Sequence, residues 1–127
     1  MAISSISGEI GIGMRSAYCA SKAAVNLFFR SLAIEEADIR ISIMMPDSFS
    51  GSNFRANSLT KPKGELPSRK TVSVSEVADV VMMASDRNAR ITLIPFSAFK
   101  IKFGYSTFEK IAPNMLDRIV RKKSMPA

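Results

Sequence analysis

The strongest pattern in the sequence is an apolar helical repeat that runs from about Tyr18 to Glu36. Apolar side chains recur there at steps of three and four residues, which is the spacing of one helix face. That face carries Ala20, Ala24, Leu27, Phe28 and Leu32. Other apolar side chains, Phe29 among them, lie outside this face, so we expect the helix to be covered on two sides. In this prediction Phe28 faces the core and Phe29 faces outward.

Short apolar segments on either side of this helix predict buried strands. Met1 to Ile6 has the composition of a strand end, and Ile39 to Met45 predicts a strand that stops at Pro46. Ile91 to Phe96 predicts a third short strand. The polar stretch from Ser50 to Lys70 is expected to form a long loop.

A second helix is predicted from Ser73 to about Ser85, because Ser73 to Glu76 has the form of a capping box. Its inward face would carry Val77, Val80, Val81 and Ala84.

Tyr18 and Lys22 are four residues apart, so both side chains rise from one face of the first helix. An ammonium group beside a phenol favours the phenolate, which makes the tyrosine a better proton donor and acceptor near neutral pH. Ser5, thirteen residues before the tyrosine, could hold the reacting oxygen through its hydroxyl. Taken alone the pair is a weak signal, since a surface tyrosine packed on a lysine stem has the same spacing.

The residues around the pair are more specific. Ile3-Ser4-Ser5-Ile6-Ser7-Gly8, followed by Arg15-Ser16-Ala17-Tyr18-Cys19-Ala20-Ser21-Lys22-Ala23-Ala24, resembles the active-site segment of the short-chain dehydrogenase/reductases. The second serine of the pair, the thirteen-residue gap and the Ala-Ser before the lysine all agree. The resemblance implies an α/β fold, the C-terminal portion of a doubly wound, Rossmann-like parallel sheet without the N-terminal βαβ units.

The same resemblance implies roles for individual residues. Tyr18 would donate and accept the proton, and Ser5 would bind the substrate oxygen. Lys22 would make Tyr18 a better proton donor and acceptor and would contact the cofactor ribose. The implied cofactor is NAD or NADP, and the implied substrate is an alcohol or carbonyl compound, steroid-like or lipid-like in the hydroxysteroid-dehydrogenase branch. In the family the loop after the Pro46 position lies on the nicotinamide, so Pro46 and Phe49 join Tyr18 and Lys22 as expected cofactor contacts.

The sequence departs from the family pattern in two places. The usual Pro-Gly is Pro46-Asp47, and Gly51 stands where a threonine is usual, so a permissive backbone position and a hydroxyl are lost. Neither a Thr-Gly-x-x-x-Gly-x-Gly turn nor an Asn-Asn-Ala-Gly segment occurs in the sequence, although the pyrophosphate rests at that turn in the family. We therefore expect a truncated form in which the catalytic group is present and cofactor binding is impaired.

Composition excludes several other functions. The sequence has no histidine, so a Ser-His-Asp triad and a histidine-ligated metal are excluded, and no metal site is expected. The single cysteine, Cys19, excludes an internal disulfide and suits a reducing compartment. The net charge of +7 can favour anionic partners, but no nucleic-acid-binding signature accompanies it, and we expect no nucleic acid. The first fifteen residues resemble neither a signal peptide nor a membrane span, which predicts the cytoplasm or a cytoplasm-facing membrane surface.

We divide the chain into a catalytic half, residues 1–98, and a basic amphipathic tail, residues 99–127, which Pro113 would split into two short helices. The tail could lie on a membrane surface, contact a partner subunit or pack on its own domain. The helix 18–36 could form a homodimer, as the corresponding helix does in the family, although a plain core helix explains the same pattern. The alternative to an enzyme is therefore a non-enzymatic chain that acts through subunit or membrane-surface association.

Overall fold

The computed structural model describes residues 1–47, 49–50, 71–87, 90–95, 97–115 and 118. Within these ranges the chain forms five short strands, a 3-10 turn and three α-helices. In chain order they are β1 (Ala2–Ile3), the 3-10 turn (Ile6–Gly8), α1 (Ser16–Glu35), β2 (Ile43–Pro46), β3 (Phe49–Ser50), β4 (Val72–Ser73), α2 (Val74–Asp86), β5 (Ile91–Ile94) and α3 (Ser97–Ile111).

Three of the strands form a parallel sheet in the order β1-β2-β5. The central strand, β2, is buried along its whole length, as expected for a parallel strand covered on both faces. α1 lies between β1 and β2 along the chain, and α2 lies between β2 and β5. The chain is thus an α/β protein with a partial Rossmann-like sheet, and the predicted fold class is confirmed.

The strand boundaries differ from the sequence prediction at both ends of β2. The strand begins at Ile43, because residues 36–40 form a turn and Ile39 is exposed. At its other end β2 stops at Pro46 as expected, but it includes that residue, which pairs in register with Ile94. The next residue, Asp47, donates its backbone N–H to the Ile94 carbonyl at 2.8 Å.

β3 and β4 form a small parallel pair that the sequence analysis missed. Ser50, assigned to a loop, therefore lies in a strand, while residues 51–70 of that predicted loop lie outside the described residues.

The prediction for α2 is confirmed. The Ser73 side chain accepts a hydrogen bond from the Glu76 backbone N–H at 3.1 Å, and the Glu76 carboxylate accepts one from the Ser73 backbone N–H at 2.7 Å. The four apolar residues of the predicted inward face pack with Met44 and Ile94 to form the hydrophobic core around β2.

The predicted orientation of α1 is wrong. Phe28 is 60% exposed, whereas Phe29 is half-buried and meets the Phe28 ring edge-on, with centroids 5.2 Å apart. The fully buried residue of this helix is Asn26. The physical reason is that α1 packs chiefly against the 3-10 turn, and the Glu9 carboxylate that follows the turn requires hydrogen-bonding side chains on the facing side of the helix.

α3 packs against β5, and its residue Ala98 is completely buried. The helix ends at Ile111, and residues 113–115 are helical again after a break at Ala112. None of the helices in the described ranges combines the length and the apolar character that crossing a bilayer requires.

Candidate active site

Tyr18 and Lys22 lie in the first two turns of α1 and point to the same side of the helix. The Lys22 Nζ atom is 5.8 Å from the centroid of the Tyr18 ring, within the range of a cation–π contact. Both side chains are half-buried, so they are held by protein on one side and accessible to a ligand on the other. The structure therefore brings together the two residues that the spacing paired.

Ser5 lies between β1 and the 3-10 turn, where it is the N-cap of that turn. Its Oγ accepts a hydrogen bond from the Ser7 backbone N–H at 3.1 Å, and it lies 3.2 Å from Ser7 Oγ and 3.4 Å from the Pro46 carbonyl oxygen. The residue is only 5% exposed. A serine has one hydroxyl proton. To bind a substrate oxygen, Ser5 would have to give up donating that proton to Ser7 Oγ or to the Pro46 carbonyl, and both of these contacts are long and weak.

The turn that contains Ser5 is held directly against α1. Ser4 Oγ donates to the Lys22 backbone carbonyl at 3.3 Å. Gly8 approaches so closely that a Cβ atom there would lie 2.6 Å from the Lys22 carbonyl carbon and 2.5 Å from Asn26 Nδ2. Only glycine fits this contact without a shift of the backbone. The short distance between the serine turn and the helix thus follows from Gly8.

The two expected cofactor contacts after β2 differ in what the structure shows of them. Pro46 is buried, and its carbonyl oxygen faces the Ser5 hydroxyl at the carboxyl end of the sheet. In open α/β sheets ligands bind at that end of the strands. Phe49 opens β3 and pairs with Val72, and its side chain lies outside the described part of the structure.

Sequence analysis missed a second group of polar residues beside this site. The Glu9 carboxylate is only 9% exposed and has partners on both neighbouring helices. Its Oε1 atom accepts a hydrogen bond from Asn26 Nδ2 at 3.1 Å and forms an ion pair with Arg30, while Oε2 lies 2.6 Å from Lys102 Nζ of α3. Asn26 and Arg30 continue the four-residue spacing of Tyr18 and Lys22, and this spacing is the signal that could have revealed them.

The family model described as short chain dehydrogenase matches residues 1–62, a range that contains Ser5, Tyr18, Lys22, Pro46 and Phe49. The chain belongs to the short-chain dehydrogenase/reductase family, by a match over part of its length. The predicted family is confirmed, and it is a family of oxidoreductases that generally use NAD or NADP.

Curated relatives match the same region. The chain is 44% identical over 62 residues to dehydrogenase/reductase SDR family member 7B of Mus musculus, a match that covers 47% of this chain and 19% of the relative. It is 32% identical over 90 residues to dehydrogenase/reductase SDR family protein 7-like of Dictyostelium discoideum, which covers 69% of this chain and 28% of the relative. The matched segment thus spans less than a third of each of these relatives.

The residues described here fit one end of a nicotinamide cofactor better than the other. A phenol and an ammonium group, half-exposed on one helix face, suit the hydroxyls of the ribose. A pyrophosphate often binds at the N-terminus of a helix, but at α2 the Glu76 carboxylate already occupies that position. The glycine-rich turn that binds pyrophosphate in the family is also absent from the sequence.

Proposed function

We propose that this chain carries the catalytic group of an NAD(P)-dependent oxidoreductase that acts on an alcohol or carbonyl compound. The observation that carries the proposal is the Lys22 ammonium beside the Tyr18 ring, on a helix to which the Ser5 turn is fixed through Gly8. A bound nicotinamide would supply the hydride chemistry.

In this proposal Tyr18 and Ser5 act on the substrate oxygen, and Lys22 acts on Tyr18. The Tyr18 phenol gives a proton to that oxygen during reduction and takes it back during oxidation. The Lys22 ammonium stabilises the phenolate that remains, because opposite charges attract most strongly in a partly desolvated site. Ser5 turns its hydroxyl proton from the Pro46 carbonyl to the same oxygen and fixes its position. The steroid-like or lipid-like nature of the substrate rests on the resemblance to the hydroxysteroid-dehydrogenase branch.

Cofactor affinity is the first test. We expect the 127-residue chain alone to show no saturable binding of NADH or NADPH at micromolar concentration, because the sequence has no glycine-rich turn for the pyrophosphate. A fluorescence titration of each reduced nucleotide checks this. Saturable binding would show that the chain builds a complete cofactor site from its own residues.

Catalysis is tested in a fusion that places the part of the mouse relative preceding its matched segment ahead of Met1. We expect this fusion to oxidise NAD(P)H with a panel of ketones, followed by nucleotide absorbance. Tyr18→Phe should lower kcat/KM about 10²- to 10⁴-fold without changing the far-ultraviolet circular dichroism, since only the proton-transfer group is lost. Ser106→Ala, which removes a hydroxyl at an exposed position of α3, is the control. Full activity of Tyr18→Phe would contradict the assignment.

A second candidate function is association with another copy of the chain through α1. The observation that favours it is a set of large apolar residues exposed on this helix. Leu27 is 66% exposed, Phe28 60% and Ile34 77%. Covering such surface is favourable by about 25 cal/mol per Å² before the cost of association is subtracted. Sedimentation velocity over a range of protein concentrations would test whether the chain dimerises.

A further inference from the structure

The Glu9 carboxylate is the most heavily partnered buried charge in the described part of the chain, and the chemistry proposed above does not use it. It stands one residue after Gly8, in the loop that connects the Ser5 turn to the helix carrying Tyr18. Its oxygens take an amide donor and a guanidinium from α1 and an ammonium from α3. One side chain thus joins three segments of the chain.

The partners on α1 continue the spacing of the catalytic pair. Tyr18, Lys22, Asn26 and Arg30 are spaced by four residues, so they form a stripe that turns by about 40° around the helix at each step. The first two members of the stripe carry the proposed proton transfer, and the last two bind Glu9. The carboxylate therefore pulls the loop onto α1 next to the face from which Tyr18 and Lys22 project.

The energetics point to positioning rather than to stability. A buried ion pair loses hydration, and replacing it with well-packed apolar residues is often neutral or stabilising. Asn26 is 2% exposed, and its Oδ1 atom has no hydrogen-bond partner among the described residues, an arrangement that destabilises the fold. The fold tolerates this loss while it uses the other end of the amide to hold Glu9. Such local violations of good packing are expected at functional sites.

We propose that Glu9 is a positioning residue, which sets the distance between Ser5 and the Tyr18–Lys22 pair by fixing the intervening loop to α1 and α3. The proposal rests on the catalytic roles proposed above. Loss of the carboxylate leaves Arg30 and Lys102 without their shared counter-charge, and their mutual repulsion then favours an open loop. The chain would still fold, because the hydrophobic core around β2 contains none of these residues.

The first measurement is amide hydrogen exchange in the 127-residue chain, which needs no cofactor. The N–H groups of Gly8, Glu9 and Ile10 bond to carbonyls within the turn, so their exchange reports its opening. Glu9→Ala should raise exchange at these three amides at least tenfold and leave α2 unchanged. Glu35→Ala, at an exposed glutamate of α1, is the matched control. Unchanged exchange in the turn, or an equal rise in α2, would overturn the proposal.

The second measurement is kinetic and uses the fusion described above. Glu9→Ala should lower kcat about 10²-fold with little change in KM, because a displacement of about 1 Å affects the reacting geometry more than ground-state binding. Glu9→Gln, which keeps the shape and one acceptor oxygen but not the shared counter-charge, should recover only part of the rate. A normal kcat in Glu9→Ala would overturn the positioning role and leave the proposed function standing. If the wild-type fusion shows no turnover, the proposed function fails, and the exchange measurement alone decides whether Glu9 holds the loop.

Discussion

Replacing Gly8 with alanine is the sharpest test of how the site is assembled. The added Cβ atom would lie 2.5 Å from Asn26 Nδ2, 2.6 Å from the Lys22 carbonyl carbon and 2.7 Å from the Lys22 carbonyl oxygen. Carbon atoms in ordinary contact are about 3.5–4.0 Å apart, so the turn must retreat by about 1 Å. The Asn26 amide can rotate away, but the Lys22 backbone belongs to a helix and cannot.

The cost can be estimated from the contacts that this retreat disrupts. Forcing extra volume into a packed contact costs about 1–3 kcal/mol. The Ser4–Lys22 hydrogen bond, already 3.3 Å long, would break at a further cost of about 1 kcal/mol. We therefore expect Gly8→Ala to lower the free energy of unfolding by about 2–4 kcal/mol, the sum of these two contributions. In the fusion enzyme the same shift should also reduce kcat, because it moves Ser5 relative to Tyr18.

Urea unfolding followed by circular dichroism measures the stability change, and the chain offers a matched control. Gly104 lies within α3, and no atom lies within 4 Å of a Cβ built there. Gly104→Ala should therefore stabilise the chain by about 0.5–1 kcal/mol, the usual gain for this change inside a helix. If the free energy of unfolding of Gly8→Ala lies within about 0.5 kcal/mol of the wild-type value, as it would for an ordinary surface substitution, the close contact between the turn and α1 does not exist.

Two further predictions follow from the packing of the helices. Phe28→Asp should leave stability nearly unchanged and reduce self-association in sedimentation, because Phe28 is exposed. Phe29→Asp should destabilise the fold, because Phe29 is half-buried. A larger loss of stability in Phe28→Asp than in Phe29→Asp would restore the orientation of α1 expected from the sequence. Ser73→Ala should lower the free energy of unfolding in urea by about 1 kcal/mol, because the helix loses its cap. Ser85→Ala, at an exposed position of the same helix, should have no effect. Equal effects of the two substitutions would refute the capping box.

Local patterns predicted the parts of the fold that depend on neighbouring residues. The capping box at Ser73 and the inward valines of α2 involve contacts within a few residues, so their spacing is visible in the sequence. The pairing of Tyr18 with Lys22 is of the same kind, since a helix fixes the relation between residues four apart. Ser5 was assigned to the candidate site from the family resemblance, because helical spacing does not relate it to a residue thirteen positions away.

The orientation of α1 could not be predicted in this way. Apolar spacing favours burial of Phe28, but the helix rests on a turn with a buried carboxylate, and that carboxylate selects Asn26 and Arg30 for the inner face. These partners lie 17 and 21 residues from Glu9 in the sequence, and Lys102 comes from a helix that begins after β5. Hydrophobic periodicity contains no information about such distant polar contacts, so it assigned the wrong face.

The rotation of α1 about its own axis also limits how the preceding loop can change in length. Successive residues of an α-helix are about 100° apart around the axis, because a turn contains 3.6 residues. One residue inserted or deleted between Glu9 and Ser16 can be absorbed only by the loop itself or by rotation of the helix. Rotation would carry the Tyr18 phenol away from the serine turn and would bring Cys19 or Ala17 toward it. Surface loops usually vary freely in length, but a change of length in this loop preserves the site only if the loop absorbs it without turning α1, whereas its apolar side chains can still vary.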